Sequence, residues 1–473
     1  MDENRKIINV LISICLLFFI LVGYLTYFGI FTGPGYAVSS YNRRQQLDEE
    51  KILRGAIYDR NGTVLAKSVM QGEHQGRVYP YGNLYSQVIG YNSGVYGRSL
   101  LELTYNNYLL GLDEYSKAIH AFSLSDKAPQ SGNGVYTTLD HSLQQLGEKL
   151  LKGKKGAIVA VDPKTGEILA LVSKPDYDPN EKSLEANWQD MTESSDSPFL
   201  PRATRGLYAP GSTYKAVTAA LAVEKGLEGR KWEDKGKVVI DGKTFSNENG
   251  QAYGEIGLAE ALAHSSNVIY SQVGVELGED RLKDMAGRIG MNREIPFDVP
   301  VSRSLFPYKQ MGETDLAAAG IGQGRLLVSP LHMALIAASF ANGGVMMQPT
   351  LVSRVVSPKG TVIKENKPAE LFRVTDRETA AAVGQMMRQV VEKGTGKKAA
   401  VKGIQVAGKT GTAENELSAG QKNKEHSWFI GYAPAEEPSI AVAVLLEYEG
   451  RSGGTAAAPI AGKIIGEYLK KKK

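Results

Sequence analysis

Ser212-Thr213-Tyr214-Lys215 is the single S-x-x-K in this chain of 473 residues, and it heads the apolar run "KAVTAALAVEKG". A serine hydroxyl is a weak nucleophile until a base removes its proton. Residues three apart are neighbours on a helix surface, so the Ser212 hydroxyl and the Lys215 amine can meet. Partial burial at a helix start weakens a lysine's preference for its charged form, which suits Lys215 to be that base. Alone the pair says little, because a serine and a lysine three apart are commonly just surface residues.

Two further patterns supply what such a serine lacks. S-x-N occurs at residues 40–42, at residues 131–133 and as Ser265-Ser266-Asn267. The first two lie in polar, linker-like stretches, whereas the third follows the apolar helical run "LAEALAH" and faces a site wall or a satisfied core. K-T-G occurs inside the turn at residues 164–166 and again as Lys409-Thr410-Gly411, which follows apolar strand residues and precedes Thr412. There a cation, hydroxyls and a bare backbone line up along one edge. A helix-borne S-x-x-K, then S-x-N, then a strand-borne K-T-G-T is the set that acyl transfer through a serine ester requires.

Residues 403–410 also spell G-x-x-x-x-G-K-T, the letters of a phosphate-binding loop. Such a loop is a glycine-rich turn that opens a helix. Here the intervening Ile404, Gln405, Val406 and Ala407 read as strand, and Gly411-Thr412 begins a helix poorly. The nucleotide reading is set aside.

The elements that must carry these groups can be placed by pattern. "RGAIYDRNGTVLA" reads as two strands about an Asn61-Gly62 turn, and "GAIVAVDPKTGEILALVS" as a hairpin about residues 162–166. Helices are expected over residues 99–110, 142–151, 212–224, 258–274, 330–341 and 377–392. Late strands are expected over 405–409, 427–432 and 439–447. Strands at both ends with helices between imply an α+β domain whose sheet is closed by the C-terminal strands.

Composition narrows the setting. Residues 7–30 form an almost unbroken apolar run, and about 20 such residues cross a bilayer core. Arg5 and Lys6 stand just before it, which puts the N-terminus inside and the rest outside. A cleavable signal would have a shorter apolar stretch and a small-residue cleavage site. The only cysteine, Cys15, lies in that run, so the exported part has no disulfide or thiolate ligand. The six histidines form no H-x-x-x-H pair, and neither a metal nor a cofactor is expected. A formal charge of +4, from 55 basic and 51 acidic residues, comes with no basic aromatic stripe, so no nucleic-acid partner is expected.

With these residues in view, the chain resembles the class B (monofunctional) penicillin-binding proteins. "RGAIYDRNGTVLA", "TLDHSLQQL", "GAIVAVDPKTGEILALVSKPDYDPN", "YAPGSTYK", "GIGQGRLLVSPLHMA" and "GKTGTAE" stand in that family's order, and the likeness covers nearly the whole chain after the anchor. The resemblance implies an α+β, serine-β-lactamase-like transpeptidase domain with an antiparallel sheet and helices. A small mixed N-terminal domain and one transmembrane helix would precede it. The division implied is 1–6 cytoplasmic, 7–30 anchor, 31–150 N-terminal pedestal or dimerisation-like domain, and 151–473 transpeptidase domain.

The same resemblance implies a peptidoglycan D,D-transpeptidase of the cell membrane, its catalytic domain extracytoplasmic, that is acylated by β-lactams. By it, Ser212 attacks the D-Ala–D-Ala bond of a stem peptide and Lys215 is the base. Ser265 relays the proton to the leaving amine, and Asn267 orients Lys215 and the substrate amide. Lys409 adds positive charge, Thr410 and Thr412 hold the terminal carboxylate, and Gly411 lets substrate approach the strand. The backbone N–H groups of Ser212 and Thr412 would form the oxyanion hole. No glycan-polymerising region fits before residue 156, so a membrane-embedded polymerase of the shape, elongation, division and sporulation family is the partner implied. Where family members often carry Asn-Arg-Ala, this chain has Pro201-Arg202-Ala203. A D,D-carboxypeptidase or β-lactamase would share the motifs, but no E-x-x-L-N follows Ser265. A non-catalytic β-lactam sensor usually has several spans and a cytoplasmic effector, and six residues precede this anchor.

Overall fold

The computed structural model describes residues 2–28, 52–71, 74–122, 131–414 and 424–472. Residues 31–50, read as a linker, and the S-x-N at 40–42 lie outside them. Helix α1 (Asp2–Tyr27) is the single helix among the described residues long and apolar enough to cross a membrane.

The apolar runs of the C-terminal two thirds become a five-stranded antiparallel sheet in the order β13-β14-β15-β5-β6. These strands are β5 (Gly156–Val161), β6 (Ile168–Lys174), β13 (Ala407–Ala413), β14 (His426–Ala433) and β15 (Ile440–Leu446). Antiparallel strands usually alternate apolar and polar residues because one face meets water. These do not alternate, because both faces are covered. Val159, Ala441 and Ala443 pack into one core with α6 (Pro330–Ala341). Ile158, Val442 and Val444 pack into a second core with α2 (His141–Leu150) and α7 (Ala457–Lys471). The turn between β5 and β6 absorbs the first K-T-G: Gly166 takes φ 79° and donates to the Asp162 carbonyl at 2.9 Å.

A six-stranded sheet, ordered β12-β11-β4-β1-β2-β3, forms the other body of strands. It joins β1 (Ile57–Tyr58), β2 (Val64–Gln71), β3 (His74–Val78) and β4 (Gly134–Thr137) to β11 (Val352–Val356) and β12 (Val362–Glu365). Two strands of this N-terminal sheet therefore come from far along the chain. The expected Asn61-Gly62 turn is present, with Gly62 at φ 88°.

Three expected elements are cut differently, each at a site motif. The helix expected from residue 212 starts at Lys215 as α3 (Lys215–Glu224), and Ser212 sits in the preceding 3-10 turn, Gly211–Tyr214. The helix expected over 258–274 breaks into α4 (Leu258–His264) and α5 (Asn267–Arg288). The strand expected over 405–409 is β13, which begins later and carries all of K-T-G-T. Away from the site, the helix expected over 99–110 is split at Tyr105 into Leu100–Thr104 and Asn106–Leu109.

Candidate active site

The S-S-N motif is built by that helix break. Ser265 adopts the left-handed conformation, φ 60° and ψ 38°. Its N–H donates to the Leu262 carbonyl and the Ser266 N–H to the Ala261 carbonyl, the bonding of a helix end usually made by glycine. A side chain there costs about 1–2 kcal/mol, and strain of this kind collects at functional sites. Ser266 then caps α5, its hydroxyl accepting from the Ile269 N–H at 3.0 Å. Two serines and an asparagine thus end one helix, start the next, and turn Ser265 and Asn267 toward the same space.

Lys215, fully buried on α3, fills that space. Its Nζ donates to the Ser265 carbonyl and to Asn267 Oδ1, both at 2.7 Å, and lies 3.4 Å from Ser265 Oγ. From the other side, the Lys409 Nζ of β13 donates to Ser265 Oγ at 2.8 Å and to the Thr410 carbonyl at 2.9 Å. The hydroxyl of Ser265 therefore stands between two buried amines. Burial, reinforced by Lys409, holds the Lys215 amine well below the ordinary lysine range, against the pull of the Asp234 carboxylate. Burial alone brings Lys409 down to about 7.

Ser212 reaches this cluster on a tightly packed turn. Gly211 has φ 54° and donates to the Gly322 carbonyl at 2.9 Å, and a Cβ on Gly211 would lie 2.7 Å from the Thr412 carbonyl. A Cβ on Gly411 would lie 2.9 Å from Thr213 Cγ2, so the bare backbone of K-T-G admits the serine turn beside the strand. The indole N–H of Trp428, on the neighbouring strand, donates to the Ala209 carbonyl at 3.1 Å. The structure thus brings Ser212, Lys215, Ser265, Asn267, Lys409 and the edge Thr410-Gly411-Thr412 together. The Ser212 hydroxyl makes no hydrogen bond to Lys215, whose N–H bonds go to Ser265 and Asn267 instead; such contacts often tighten only once substrate is bound. The second K-T-G and the third S-x-N are the ones in the site. Lys409 sits mid-strand opposite Ile430, which removes the phosphate-loop reading.

Several residues at the site went unread in the sequence. Thr395 pairs its hydroxyl with that of Thr410 at 2.6 Å. Tyr253 stacks on His264 with centroids 4.4 Å apart, beside Ser265. Asp234 and Asn247 bond to each other and to the first turn of α5. Strand β7 (Lys231–Asp234) alternates exposed and buried residues, and an acid in phase with Trp232 was the legible sign. Arg202, in the variant Pro-Arg-Ala, is buried and donates through Nε to Glu447 at 2.8 Å.

Residues 156–466 match the penicillin binding protein transpeptidase domain family, and residues 54–135 match the penicillin binding protein A dimerisation domain family. The chain is 32% identical to peptidoglycan D,D-transpeptidase PbpA of Mycolicibacterium smegmatis over 99% of both chains. It is 34% identical to the PbpA of Mycobacterium tuberculosis over 98% of both. Among solved structures it is similar to penicillin-binding protein A from M. tuberculosis in its ceftriaxone acyl-enzyme complex. That likeness has a TM-score of 0.84 and 33% identity, and covers 89% of this chain and 99% of the other.

Proposed function

The chain belongs to the penicillin-binding transpeptidase family, and from that premise we propose how its own residues divide the reaction. It is a serine-type peptidoglycan D,D-transpeptidase that takes stem peptides as substrate and is acylated by β-lactams. Ser212 Oγ attacks the carbonyl of the penultimate D-alanine, forming an ester, and the bond to the terminal D-alanine breaks. Lys215 takes the serine proton. With two N–H bonds committed to the Ser265 carbonyl and Asn267 Oδ1, a neutral amine keeps its lone pair for that proton.

The proton passes through the Ser265 hydroxyl to the leaving amine. Lys409, with the Thr410 and Thr412 hydroxyls, holds the terminal carboxylate. The developing oxyanion is met by the backbone N–H groups of Ser212 and Thr412, each such donor contributing about 2.7–4 kcal/mol. An acceptor amine from a neighbouring stem then displaces Ser212 and forms the cross-link. The observation that carries this reading is the Ser265 hydroxyl within reach of both buried amines.

The reading extends to placement. Arg5 and Lys6, just ahead of the apolar run within α1, favour a cytoplasmic residue 1–6 segment, a membrane-spanning 7–30, and an extracytoplasmic pedestal (31–150) and transpeptidase domain (151–473). Glycan polymerisation falls to a membrane-embedded partner of the shape, elongation, division and sporulation family. The test uses the full-length protein in detergent. Fluorescent penicillin labels wild type and leaves Ser212→Ala unlabelled at an unchanged melting temperature; equal labelling refutes the nucleophile. A stem-peptide donor with an amine acceptor yields cross-linked product, and release of free D-alanine without cross-link would instead mark a hydrolase.

A further inference from the structure

Strand β7 ends on a carboxylate in a core position: Asp234 is 1% exposed. A buried charge is costly unless it is fully bonded. Here Oδ1 accepts from the Gly236 N–H and from Asn247 Nδ2, both at 2.8 Å. Oδ2 accepts from Asn247 Nδ2 at 2.8 Å and from Ser266 Oγ at 2.6 Å. Asn247 and Ser266 also accept from the start of α5. Asn247 Oδ1 accepts from the N–H groups of Asn267 and Val268, at 2.8 and 3.1 Å, and Ser266 Oγ accepts from Ile269. Three of the four donors a helix leaves open at its N-terminus are tied in this way to one carboxylate. Asn267 itself donates through Nδ2 to the Ser246 carbonyl at 2.7 Å, which leaves its Oδ1 facing Lys215.

We propose that Asp234 is a positioning residue for acyl transfer: through Asn247 and Ser266 it locks the first turn of α5, and with it the Asn267 oxygen that holds the Lys215 amine. Its charge has a second effect. The charged groups acting on Lys215 are Lys409 from β13 and Asp234 from β7, with the Tyr270 ring of α5 at 5.8 Å, and Asp234 favours the protonated amine. Burial and the charges of Asp234 and Glu248 in turn raise the Tyr253 hydroxyl above its ordinary range. The inference rests on the reading of Lys215 as the base.

The test measures second-order acylation by fluorescent penicillin from pH 4 to pH 9 on the full-length protein, for wild type, Asp234→Asn, Ser266→Ala and Asn247→Ala. Asp234→Asn acylates about 10- to 100-fold more slowly at its optimum, and its acidic limb moves to lower pH because Lys215 then gives up its proton more readily. Ser266→Ala and Asn247→Ala keep the carboxylate, so they slow acylation and move the limb less than Asp234→Asn does. A carboxylate serving only the fold would lower the melting temperature and leave the limb in place; that result, or wild-type kinetics, overturns the inference alone. A wild-type profile with no acidic limb overturns the Lys215 reading and this inference with it. If Asp234→Asn does not fold, the decision passes to the other two variants. Slowed acylation at a wild-type melting temperature upholds the inference, and unslowed acylation overturns it.

Discussion

Removing the hydroxyl between the two buried amines, in Ser265→Ala, should move one limb of the pH profile and leave the other in place. Among the described residues, Lys409 Nζ has two acceptors, Ser265 Oγ at 2.8 Å and the Thr410 carbonyl at 2.9 Å. A hydrogen bond to a charged group contributes about 1.5–3 kcal/mol, and one pKa unit corresponds to about 1.36 kcal/mol. Loss of that acceptor therefore lowers the Lys409 pKa by roughly 1–2 units. Starting from about 7 in the intact site, the lysine loses its charge at correspondingly lower pH. Lys215 gives up only a 3.4 Å contact and keeps its two short ones, so its acidic limb holds.

The assay is the second-order rate of penicillin acylation between pH 4 and pH 9, which reports the free enzyme. On the proposed roles Lys215 must be neutral and Lys409 charged, so the rate rises on the acidic side as Lys215 loses its proton and falls on the alkaline side as Lys409 does. Ser265→Ala lowers the rate at every pH through the lost relay and moves the alkaline limb down by roughly 1–2 units. Ser265→Gly removes the same hydroxyl but relieves the positive φ, so it shows the same limb shift and a higher melting temperature than the alanine variant. An alkaline limb that stays at its wild-type position in both variants would refute the assignment of the carboxylate-binding charge to Lys409.

Other perturbations probe the supports of the site. A Cβ on Gly322, at φ 73°, would lie 2.1 Å from the Gly211 carbonyl oxygen, so Gly322→Ala displaces the serine turn. Acylation drops at least about tenfold and stability by about 1–3 kcal/mol; a variant with wild-type acylation and melting would show the clamp to be unimportant. In the N-terminal region, fully buried Glu102 accepts from Arg54 Nε and Arg77 Nε, each at 2.7 Å. Glu102→Ala leaves two buried guanidiniums unpaired and costs about 3–5 kcal/mol, read as a lower urea midpoint, while the folded protein still takes up penicillin. Burial opposes the Glu102 charge, but the two guanidiniums prevail and hold its carboxyl below the usual range. Its stabilisation is thus present above the unfolded carboxyl pKa and lost as pH falls through the lowered native value, so wild type loses more stability than Glu102→Ala on acidification.

What the sequence determined was local. Helical periodicity marked the helices, apolar runs marked the strands, the turn residues about Gly62 and Gly166 marked the hairpins, and the long apolar run marked α1. Motif spacing singled out Ser212, Lys215, Ser265, Asn267 and Lys409, because nucleophile, base and cation chemistry restrict residue type. Tertiary structure decided the rest. Helical propensity carries "LAEALAHSSNVIYSQVG" straight through Ser265, and what breaks it there is distant: Lys215 on the Ser265 carbonyl, and Asn247 on the first N–H groups of α5. The start of β13 moved because its register is set by pairing with β14, which no residue in "GIQVAGKTGT" specifies alone. Asp234 and Asn247 carry no motif, and they stand thirteen positions apart along the chain. Their bond exists because β7 and the loop after Ser246 fold against α5, so only long-range packing could reveal a carboxylate behind Asn267.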